Sequence, residues 1–247
     1  MKIIDCFWEI KNIGKKTIEI SIEDNDLFNR DAIEQLVCDY EYVVIKVPMT
    51  MPLFNIGLTE MGYICIENQF NVGIEYDNFD FSKIAILDKN TSFEIVSNSD
   101  GLQSIVSQIQ PGMFSTDRIS IDPCFGEEIG CQRYINWLTT EFENSKSLLI
   151  KVLYKKEHIG FMLVKIEQDT INLLLNGLYK QYQRKGLGIL TPASPMMFSR
   201  NNNILIAKET TSISSNNTPV VKLYNRLNFQ LFKQTYVFVK HNIHDTI

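Results

Sequence analysis

Residues Tyr182 to Gly188 read Tyr-Gln-Arg-Lys-Gly-Leu-Gly, and this stretch decides how the rest of the chain is interpreted. It follows an apolar run, Ile171–Leu178, that is long enough for one buried strand. Because glycine has no Cβ and accepts a positive φ, Gly186 and Gly188 let backbone N–H groups approach a ligand closely. Successive N–H groups in such a turn form an anion site, and a following helix adds the positive end of its dipole. With two basic residues in the same stretch, the turn predicts a site for a phosphate or pyrophosphate.

The composition is that of an ordinary globular protein. Of the 247 residues, 45% are hydrophobic and 21% are charged, and the length suits one large domain or two small ones. The net charge of −5 gives no overall basic field, which disfavours nucleic acid as a partner, so an anionic ligand must be bound by a local patch. Five cysteines without C-x-x-C spacing and three scattered histidines form no zinc pattern, so we predict reduced thiols and no metal.

The sequence predicts neither a membrane span nor a secretion signal. Its apolar runs are all shorter than the about 18 residues that a span needs. Near the N-terminus, Asp5 and Glu9 interrupt the apolar run that a signal peptide would require. These features predict a cytoplasmic protein that does not bind membranes. The sequence does not decide between a monomer and a homodimer.

Residues 1–100 predict a small α/β domain. Short apolar runs alternate with polar breaks, and their periodicity predicts strands and helices in turn. We expect strands at 17–22, 42–47 and 63–72, and helices at 31–39 and 53–61. Residues 88–101 are rich in Asn, Ser, Asp and Lys, which favours a boundary near residue 100. The predicted domains are therefore 1–100 and 101–247.

The second domain is predicted to open with a helix and an antiparallel meander. Apolar residues at helical spacing predict the helix, and three apolar runs separated by polar turns predict the strands. The helix is expected at 130–143 and the strands at 148–154, 159–166 and 171–178. Beyond the glycine turn we predict a strand at 204–207, a helix at 217–227 with an Asn cap, and a strand at 229–239.

One order of elements occurs twice. Strand, helix and strand follow one another over 42–72 and again over 204–239. This echo predicts that the N-terminal domain is a reduced copy of the C-terminal fold without the glycine turn. Such a copy would support the structure or bind substrate, and would not bind cofactor.

Two motifs give the chain a family resemblance. Gln183, Gly186 and Gly188 satisfy Q/R-x-x-G-x-G/A, the signature of the GCN5-related N-acetyltransferases (GNAT). Downstream, Asn217, Leu223-Tyr224 and Leu227-Asn228-Phe229 resemble that family's N…LY…LGF segment, with Asn228 in place of glycine at a position where Asn also tolerates left-handed backbone. The resemblance covers roughly 101–240. It implies an α/β (α+β) GNAT fold with a mixed, mostly antiparallel central sheet, preceded by a smaller α/β domain that resembles a reduced half of that fold.

The resemblance implies an acetyl-CoA-dependent N-acetyltransferase in which an amine attacks the thioester directly. In this family the strand before the glycine turn splays from its neighbour, so the N–H of Leu178 is expected to donate to the thioester carbonyl. Gly177 is expected at a bulge or close approach. Tyr224 is the expected general acid, because a phenol with a pKa of about 10 stays protonated at neutral pH. The implied cofactor-binding residues are Asn176, Gly177, Leu178, Lys180, Gln183, Arg184, Lys185, Gly186, Leu187, Gly188 and Asn217.

Several alternatives stay open at this level. The glycine turn could be purely structural, Tyr224 could only pack in the core, and Asn217 could only cap its helix. The general base is undecided between Glu209, which is expected in a solvated loop, and a bound water. Two prolines, Pro192 and Pro195, interrupt the expected helix after Gly188, so we predict that it starts late, at 194–195, or is irregular in its first turn.

The acceptor is suggested by a finer resemblance. Residues 117–123 (DRISIDP) and the following helix are similar to segments of the TDP-fucosamine acetyltransferases, which act on the 4-amino group of a TDP-linked deoxysugar. Arg118 and Arg133 would then meet a nucleotide diphosphate, and Asp122 a sugar hydroxyl or amine; local ion pairs are the alternative for each. The competing functions are an acetyltransferase for another small amine, such as an amino acid or antibiotic-like compound, and an acyl-CoA-binding module without turnover.

Overall fold

The computed structural model describes residues 1–242 and contains one ten-stranded mixed sheet with helices on both faces. The strands are β1 (Lys2–Asp5), β2 (Thr17–Ser21), β3 (Tyr42–Pro48), β4 (Ile64–Glu75), β5 (Thr91–Ile95), β6 (Leu148–Tyr154), β7 (Glu157–Glu167), β8 (Thr170–Leu178), β9 (Lys208–Ser214) and β10 (Gln230–His241). The helices are α1 (Glu9–Ile13), α2 (Arg30–Val37), α3 (Pro52–Glu60), α4 (Ala85–Asp88), α5 (Ser99–Val106), α6 (Arg118–Ile121), α7 (Glu127–Glu143), α8 (Leu190–Asn201) and α9 (Thr218–Arg226). Within 1–242, no helix is both long and apolar enough to cross a membrane.

The sheet confirms the predicted mixed, mostly antiparallel architecture. Its strand order is β1-β2-β3-β10-β4-β9-β8-β7-β6-β5. Only β2 with β3 and β8 with β9 run parallel, and the meander β6–β7–β8 is antiparallel as expected. One face of β6–β9 packs against α8 and α9, and the opposite face packs against α5 and α7.

The two halves of the chain exchange one strand each. The predicted repeat is present as β3–α3–β4 and β9–α9–β10. β10 lies between β3 and β4, while β4 lies between β10 and β9. Each half therefore completes the other half of the sheet, and residues far apart in sequence form the centre. β5 pairs with β6, so strand pairing with the C-terminal half already begins at Thr91; the boundary near residue 100 stays a prediction.

The strand predicted at 204–207 is misplaced. β9 covers Lys208–Ser214 instead, and Ile206 only packs against the core as the chain approaches the sheet. The error arises because β9 reads Lys-Glu-Thr-Thr-Ser-Ile-Ser. This strand is mainly polar, so a search for continuous apolar runs does not detect it. A strand in the middle of the sheet with one polar face shows alternation rather than continuous apolar residues.

The helix after the glycine turn begins earlier than predicted. α8 starts at Leu190 rather than at 194–195, so the prediction of a late start was wrong. Pro192 falls in the first turn, where helical bonding requires no backbone N–H, while Pro195 lies inside the helix. The N-terminal end of α8 consequently lies next to Gly188, and its dipole points toward the glycine turn.

Candidate active site

The site is built around a fork between β8 and β9. The parallel pairing joins Thr170–Leu173 to Lys208–Thr211 and extends no further. A bulge causes the divergence on the β8 side: Val164 pairs with Leu173 but Leu163 pairs with Leu175, so one residue of β8 is extra. The C-terminal part of β8 thus keeps its partner β7 and has no ladder with β9.

The bare edge of β8 exposes backbone N–H groups to the fork. The N–H of Tyr179 donates to the carbonyl of Ile159 at 2.9 Å, on the β7 side. Because N–H groups alternate in direction along a strand, those of Leu178 and Asn176 point to the opposite edge, into the fork. This is the direction that the predicted oxyanion-hole role of Leu178 requires.

Gly177 allows a close approach and is not itself the bulge. The bulge lies at Leu174, between the residues whose partners are given above. A Cβ at Gly177 would lie 2.5 Å from Cε of Met113, closer than real contacts allow, and a Cβ at Gly160 would collide with the Gly177 carbonyl. The close approach of β7 and β8 therefore requires glycine at Gly160, while Gly177 leaves room for the flexible end of Met113.

The N-terminal half contains the corresponding parallel pair, and it is closed. β2 and β3 pair along the whole of β2, from Thr17 with Tyr42 to Ser21 with Lys46. The N–H of Ile22 continues the ladder by donating to the Lys46 carbonyl at 2.8 Å. No fork opens along the described length of β2, and the absence of a cofactor site in this half stays a prediction.

The glycine turn connects the end of β8 to α8 and has the backbone of an anion site. Gly186 has φ +78° and Arg184 has φ +58°, so the turn contains left-handed residues of the kind that form N–H concavities. Gln183 braces the turn against the strand, since its Nε2 donates to the Leu178 carbonyl at 3.1 Å. Leu187 is buried, whereas four polar side chains of the turn are exposed: Lys180, Gln183, Arg184 and Lys185.

Replacing Gly186 with Val should weaken coenzyme binding at least about tenfold. A β-branched residue at positive φ costs roughly 1–2 kcal/mol, and the turn would relax away from its left-handed geometry, which aligns the N–H groups. Calorimetry with coenzyme A measures the change. Gly14→Val is the control, because Gly14 also has a positive φ with open space around it, at the end of α1. Equal coenzyme affinity in the Gly186 variant would contradict the anion-site assignment.

Pro195 gives the fork a tether between β8 and α8. Because proline has no N–H, the Thr191 carbonyl four residues earlier lacks its helical partner. Nδ2 of Asn176 donates to that carbonyl at 2.7 Å. The Asn176 side chain is therefore engaged in structure through its Nδ2. A narrow cavity between β8 and α8 is lined by residues that include Asn176, Gly177, Leu178, Leu190 and Thr191.

Tyr224 lies at the apex of the fork. Its hydroxyl is hydrogen-bonded to the Thr211 side chain, and Oγ1 of Thr211 donates to the Leu173 carbonyl at 2.8 Å. Leu173 and Thr211 form the last pair before β8 and β9 diverge. The ring is buried and meets Phe229 edge-on, with centroids 4.8 Å apart. Burial, with a smaller effect from Glu209, raises the pKa of Tyr224 well above its usual value.

Glu209 occupies the core beneath Tyr224 rather than a solvated loop, so that expectation was wrong. It lies on β9 and pairs with Ile171 and Ile74 on the neighbouring strands. Its side chain is fully buried, and neither carboxyl oxygen has a hydrogen-bond partner within residues 1–242. Burial raises the pKa of Glu209 well above its ordinary value, which favours the protonated carboxyl.

The second motif forms the expected capped helix. Oδ1 of Asn217 accepts from the Val220 N–H at 3.3 Å, and Pro219 occupies the first turn of α9. Asn228 has φ +67° just beyond the helix, which is the left-handed geometry predicted for it. The cap uses the Asn217 oxygen, so the predicted contact of Asn217 with the cofactor would have to be made by its Nδ2.

The three predicted acceptor residues are paired within the protein. Arg133 holds Glu9 of α1 through Nε and Nη2, at 2.8 and 2.6 Å from Oε1. Asp122 meets His241 of β10, with Oδ2 2.8 Å from Nε2. Arg118 lies 3.9 Å from Glu19 of β2. These contacts attach the α6–α7 segment to α1, β2 and β10, as the local ion-pair alternative expected. The Nε of Arg118 is buried and has no hydrogen-bond partner among the described residues.

One of these pairs also has the donor types of a metal site. Asp122, Cys124 and His241 place one ligand atom each within 4.8 Å of one another. Hydrogen bonds already occupy the carboxylate, because its Oδ2 lies 2.8 Å from Nε2 of His241 and its Oδ1 accepts the Cys124 N–H at 3.0 Å. We therefore assign the group as a hydrogen-bonded link between α6 and β10.

Comparisons with known proteins identify the fold. No protein-family model and no curated protein matches the sequence. A solved structure of a functionally unknown conserved protein from Staphylococcus epidermidis is similar with TM-score 0.61, at 13% identity over 92% of this chain and 85% of that one. A GCN5-related N-acetyltransferase from Kribbella flavida gives 0.58, at 10% identity over 93% and 82%. A tandem GNAT protein from the clavulanic acid biosynthesis pathway gives 0.57, at 12% identity over 94% and 77%.

These similarities show that the chain has the GNAT fold. The covered shares include both halves, so the N-terminal half is part of the likeness. None of the three structures points to TDP-fucosamine acetyltransferases in particular. The activity and the acceptor must therefore be argued from the fork and its surroundings.

Proposed function

We propose that the protein is an acetyl-CoA-dependent N-acetyltransferase that acetylates a primary amine of a small molecule. The observation that carries the proposal is the fork itself. The N–H of Leu178 points into it, the hydroxyl of Tyr224 lies at its apex, and the glycine turn follows directly at its open end. A purely structural turn requires neither the divergence of two central strands nor a tyrosine at their junction.

The residues present fit the coenzyme that this fold binds. The left-handed turn around Gly186 offers backbone N–H groups to a pyrophosphate, and the N-terminus of α8 adds its dipole. Lys180, Arg184 and Lys185 are exposed beside the turn and can screen phosphate charge. When bound, acetyl-CoA would supply an acetyl thioester at the fork.

Two groups of the chain then have defined tasks. The Leu178 N–H would stabilise negative charge on the carbonyl oxygen as the amine attacks, an effect worth roughly 10²–10³-fold where single donors have been removed. Tyr224, protonated at neutral pH, would donate its proton to the leaving sulfur. The proton that the amine loses restores the hydroxyl of Tyr224, and so balances the proton that Tyr224 gives to sulfur.

For the acceptor, we propose the amino group of a nucleotide-linked deoxyamino sugar as the first candidate class. The support is the similarity of residues 117–123 and α7 to enzymes for such sugars, together with the free Nε of Arg118. Because Arg133 is held by Glu9, a diphosphate would have to rely on Arg118. Other small amines, including amino acids and antibiotic-like compounds, are the alternative class.

Thiol release from acetyl-CoA tests the function directly. The protein is assayed against TDP- and UDP-linked amino sugars, amino acids and aminoglycosides, with coenzyme binding measured separately by calorimetry. We expect acetyl-CoA to bind and at least one amine to accelerate thiol release. Binding without acceleration by any amine would favour an acyl-CoA-binding module, and absence of binding would rule out both readings.

A further inference from the structure

The fork passes through the sheet, so it has a second face away from the glycine turn. Ile213 on β9 belongs to the same core as Tyr224. Because side chains alternate along a strand, the next residue, Ser214, points to the opposite face. Ser214 lies beyond Thr211, the last β9 residue paired with β8, so it borders the open part of the fork.

Glu67 of the exchanged strand β4 meets Ser214 on this face. The Ser214 hydroxyl is hydrogen-bonded to the Glu67 carboxylate. Glu67 pairs with Val237 of β10, whose side chain packs with Ile119 of α6, so α6 covers the same face. Over the neighbouring part of β8, Met113 and Phe114 approach Gly177. The face of the fork opposite the glycine turn therefore carries a polar pair on β4 and β9 and an aromatic side chain beside β8.

Glu67 is a half-buried carboxyl that makes no ion pair of its own within the described chain. Among residues 1–242 no lysine, arginine or histidine forms an ion pair with it. Lys46 pairs with Glu19 at 2.7 Å, and Arg118, which lies 3.9 Å from Glu19, acts on Glu67 only at a distance too long for an ion pair. Burial raises the pKa of Glu67, and Asp117 adds to this, while Ser214, Arg118 and Lys46 oppose it. Ionising a half-buried carboxyl without a counter-ion costs free energy, and a cationic ligand that pairs with it would offset that cost.

We propose that Glu67 binds the acceptor as its ammonium ion and takes one proton from it. This rests on the proposed acetyltransferase function and names the group that holds the reacting amine. An N–H bond of the ammonium breaks, an O–H bond forms on Glu67, and the freed electron pair on nitrogen forms the C–N bond to the acetyl carbon. The C–S bond then breaks, sulfur takes the proton of Tyr224, and the second proton lost by nitrogen restores Tyr224. One proton leaves Glu67 for solvent, to which its half-buried side chain has access.

The strand exchange explains why this acid comes from the N-terminal half. β4 is placed between β9 and β10. The N-terminal half, which has no fork between β2 and β3, thus supplies a residue to the acceptor side of the fork in the C-terminal half. No local signal marks Glu67 in the sequence, because it lies in a mainly polar run, Glu-Asn-Gln-Phe-Asn, of the kind found in many half-exposed strands.

The test compares amines with their hydroxyl analogues on coenzyme-saturated protein. Binding of cyclohexylamine, 2-amino-2-deoxyglucose and a TDP-4-amino-4,6-dideoxyhexose is measured by calorimetry beside cyclohexanol, glucose and a TDP-6-deoxyhexose. We expect at least one amine to bind wild type about tenfold or more tighter than its analogue, since partnering a desolvated charge is worth that much. Glu67→Gln should abolish the preference, and Ser214→Ala should reduce it about two- to fivefold.

Glu75→Gln is the matched control, because Glu75 lies exposed at the end of the same strand. It should keep the full preference for the ammonium. Coenzyme affinity and thermal midpoint, measured on all variants, separate site loss from misfolding. If acetyl-CoA binds normally but no amine is preferred, or if Glu67→Gln keeps the preference, the assignment of Glu67 is wrong while the proposed function stands. If acetyl-CoA does not bind even to wild type, the proposed function itself fails.

Discussion

Replacing Tyr224 with Phe is expected to lower kcat for acetyl transfer about 10²–10³-fold, the usual contribution of a positioned general acid. The change removes one oxygen and keeps the ring, so the edge-on contact with Phe229 and the fold should persist. Because the hydroxyl acts when sulfur leaves, the Kd for acetyl-CoA should change little. Thiol release at saturating acceptor and calorimetry with acetyl-CoA measure the two quantities separately.

The pH profile provides a second readout for Tyr224. Its pKa is raised by burial and by Glu209, so the protonated phenol persists to higher pH than an ordinary tyrosine. Wild-type kcat should therefore not fall as pH rises toward the ordinary tyrosine pKa of about 10. Tyr236→Phe, on β10 in the core of the N-terminal half, is the control and should retain full activity. A Tyr224 variant with the wild-type rate would show that this ring only packs.

The local features of the active half were predictable because each rests on short-range chemistry. The left-handed turn at Gly186, the capping of α9 by Asn217 and the left-handed Asn228 all follow from what those residue types accept in backbone geometry. The meander β6–β8 was predicted from continuous apolar runs, since strands buried on both faces show little alternation.

The missed features depend on pairing between distant parts of the chain. Nothing near Glu67 or Ser214 indicates that β4 leaves its own half to lie beside β9. The start of α8 was predicted too late because Pro195 leaves the Thr191 carbonyl without its helical hydrogen bond. Asn176, which lies on β8, supplies a hydrogen bond to that carbonyl instead. Similarly, Arg133 is hydrogen-bonded to Glu9, which is far away in sequence, so its guanidinium is already paired within the protein. Local propensity is consistent with each of these pairings but cannot select it.

Replacing Glu209 with Met is expected to stabilise the protein by about 2–4 kcal/mol at pH 8, the scale of desolvating a buried ion that lacks a partner. Methionine has a similar length and fits the apolar core around Ile171 and Ile74. Both carboxyl oxygens of Glu209 lack partners, so the substitution removes no hydrogen bond among the described residues. Replacing such a group by an apolar one of similar shape is neutral or stabilising.

The sign of the pH dependence distinguishes this effect from general core repacking. The folded-state pKa of Glu209 is raised by burial, so the folded protein holds a proton that the unfolded chain releases. The titration of Glu209 contributes no destabilisation below its unfolded-state pKa of about 4.3. This contribution grows as pH rises toward the folded-state pKa. The free energy of unfolding of wild type should thus fall between pH 5 and 8, and Glu209→Met should remove that part of the fall.

Urea denaturation at both pH values measures the free energy of unfolding, with Glu94→Met, an exposed position on β5, as the control. Equal destabilisation by Glu209→Met at both pH values would contradict this prediction and would mean that the carboxyl is hydrogen-bonded in solution.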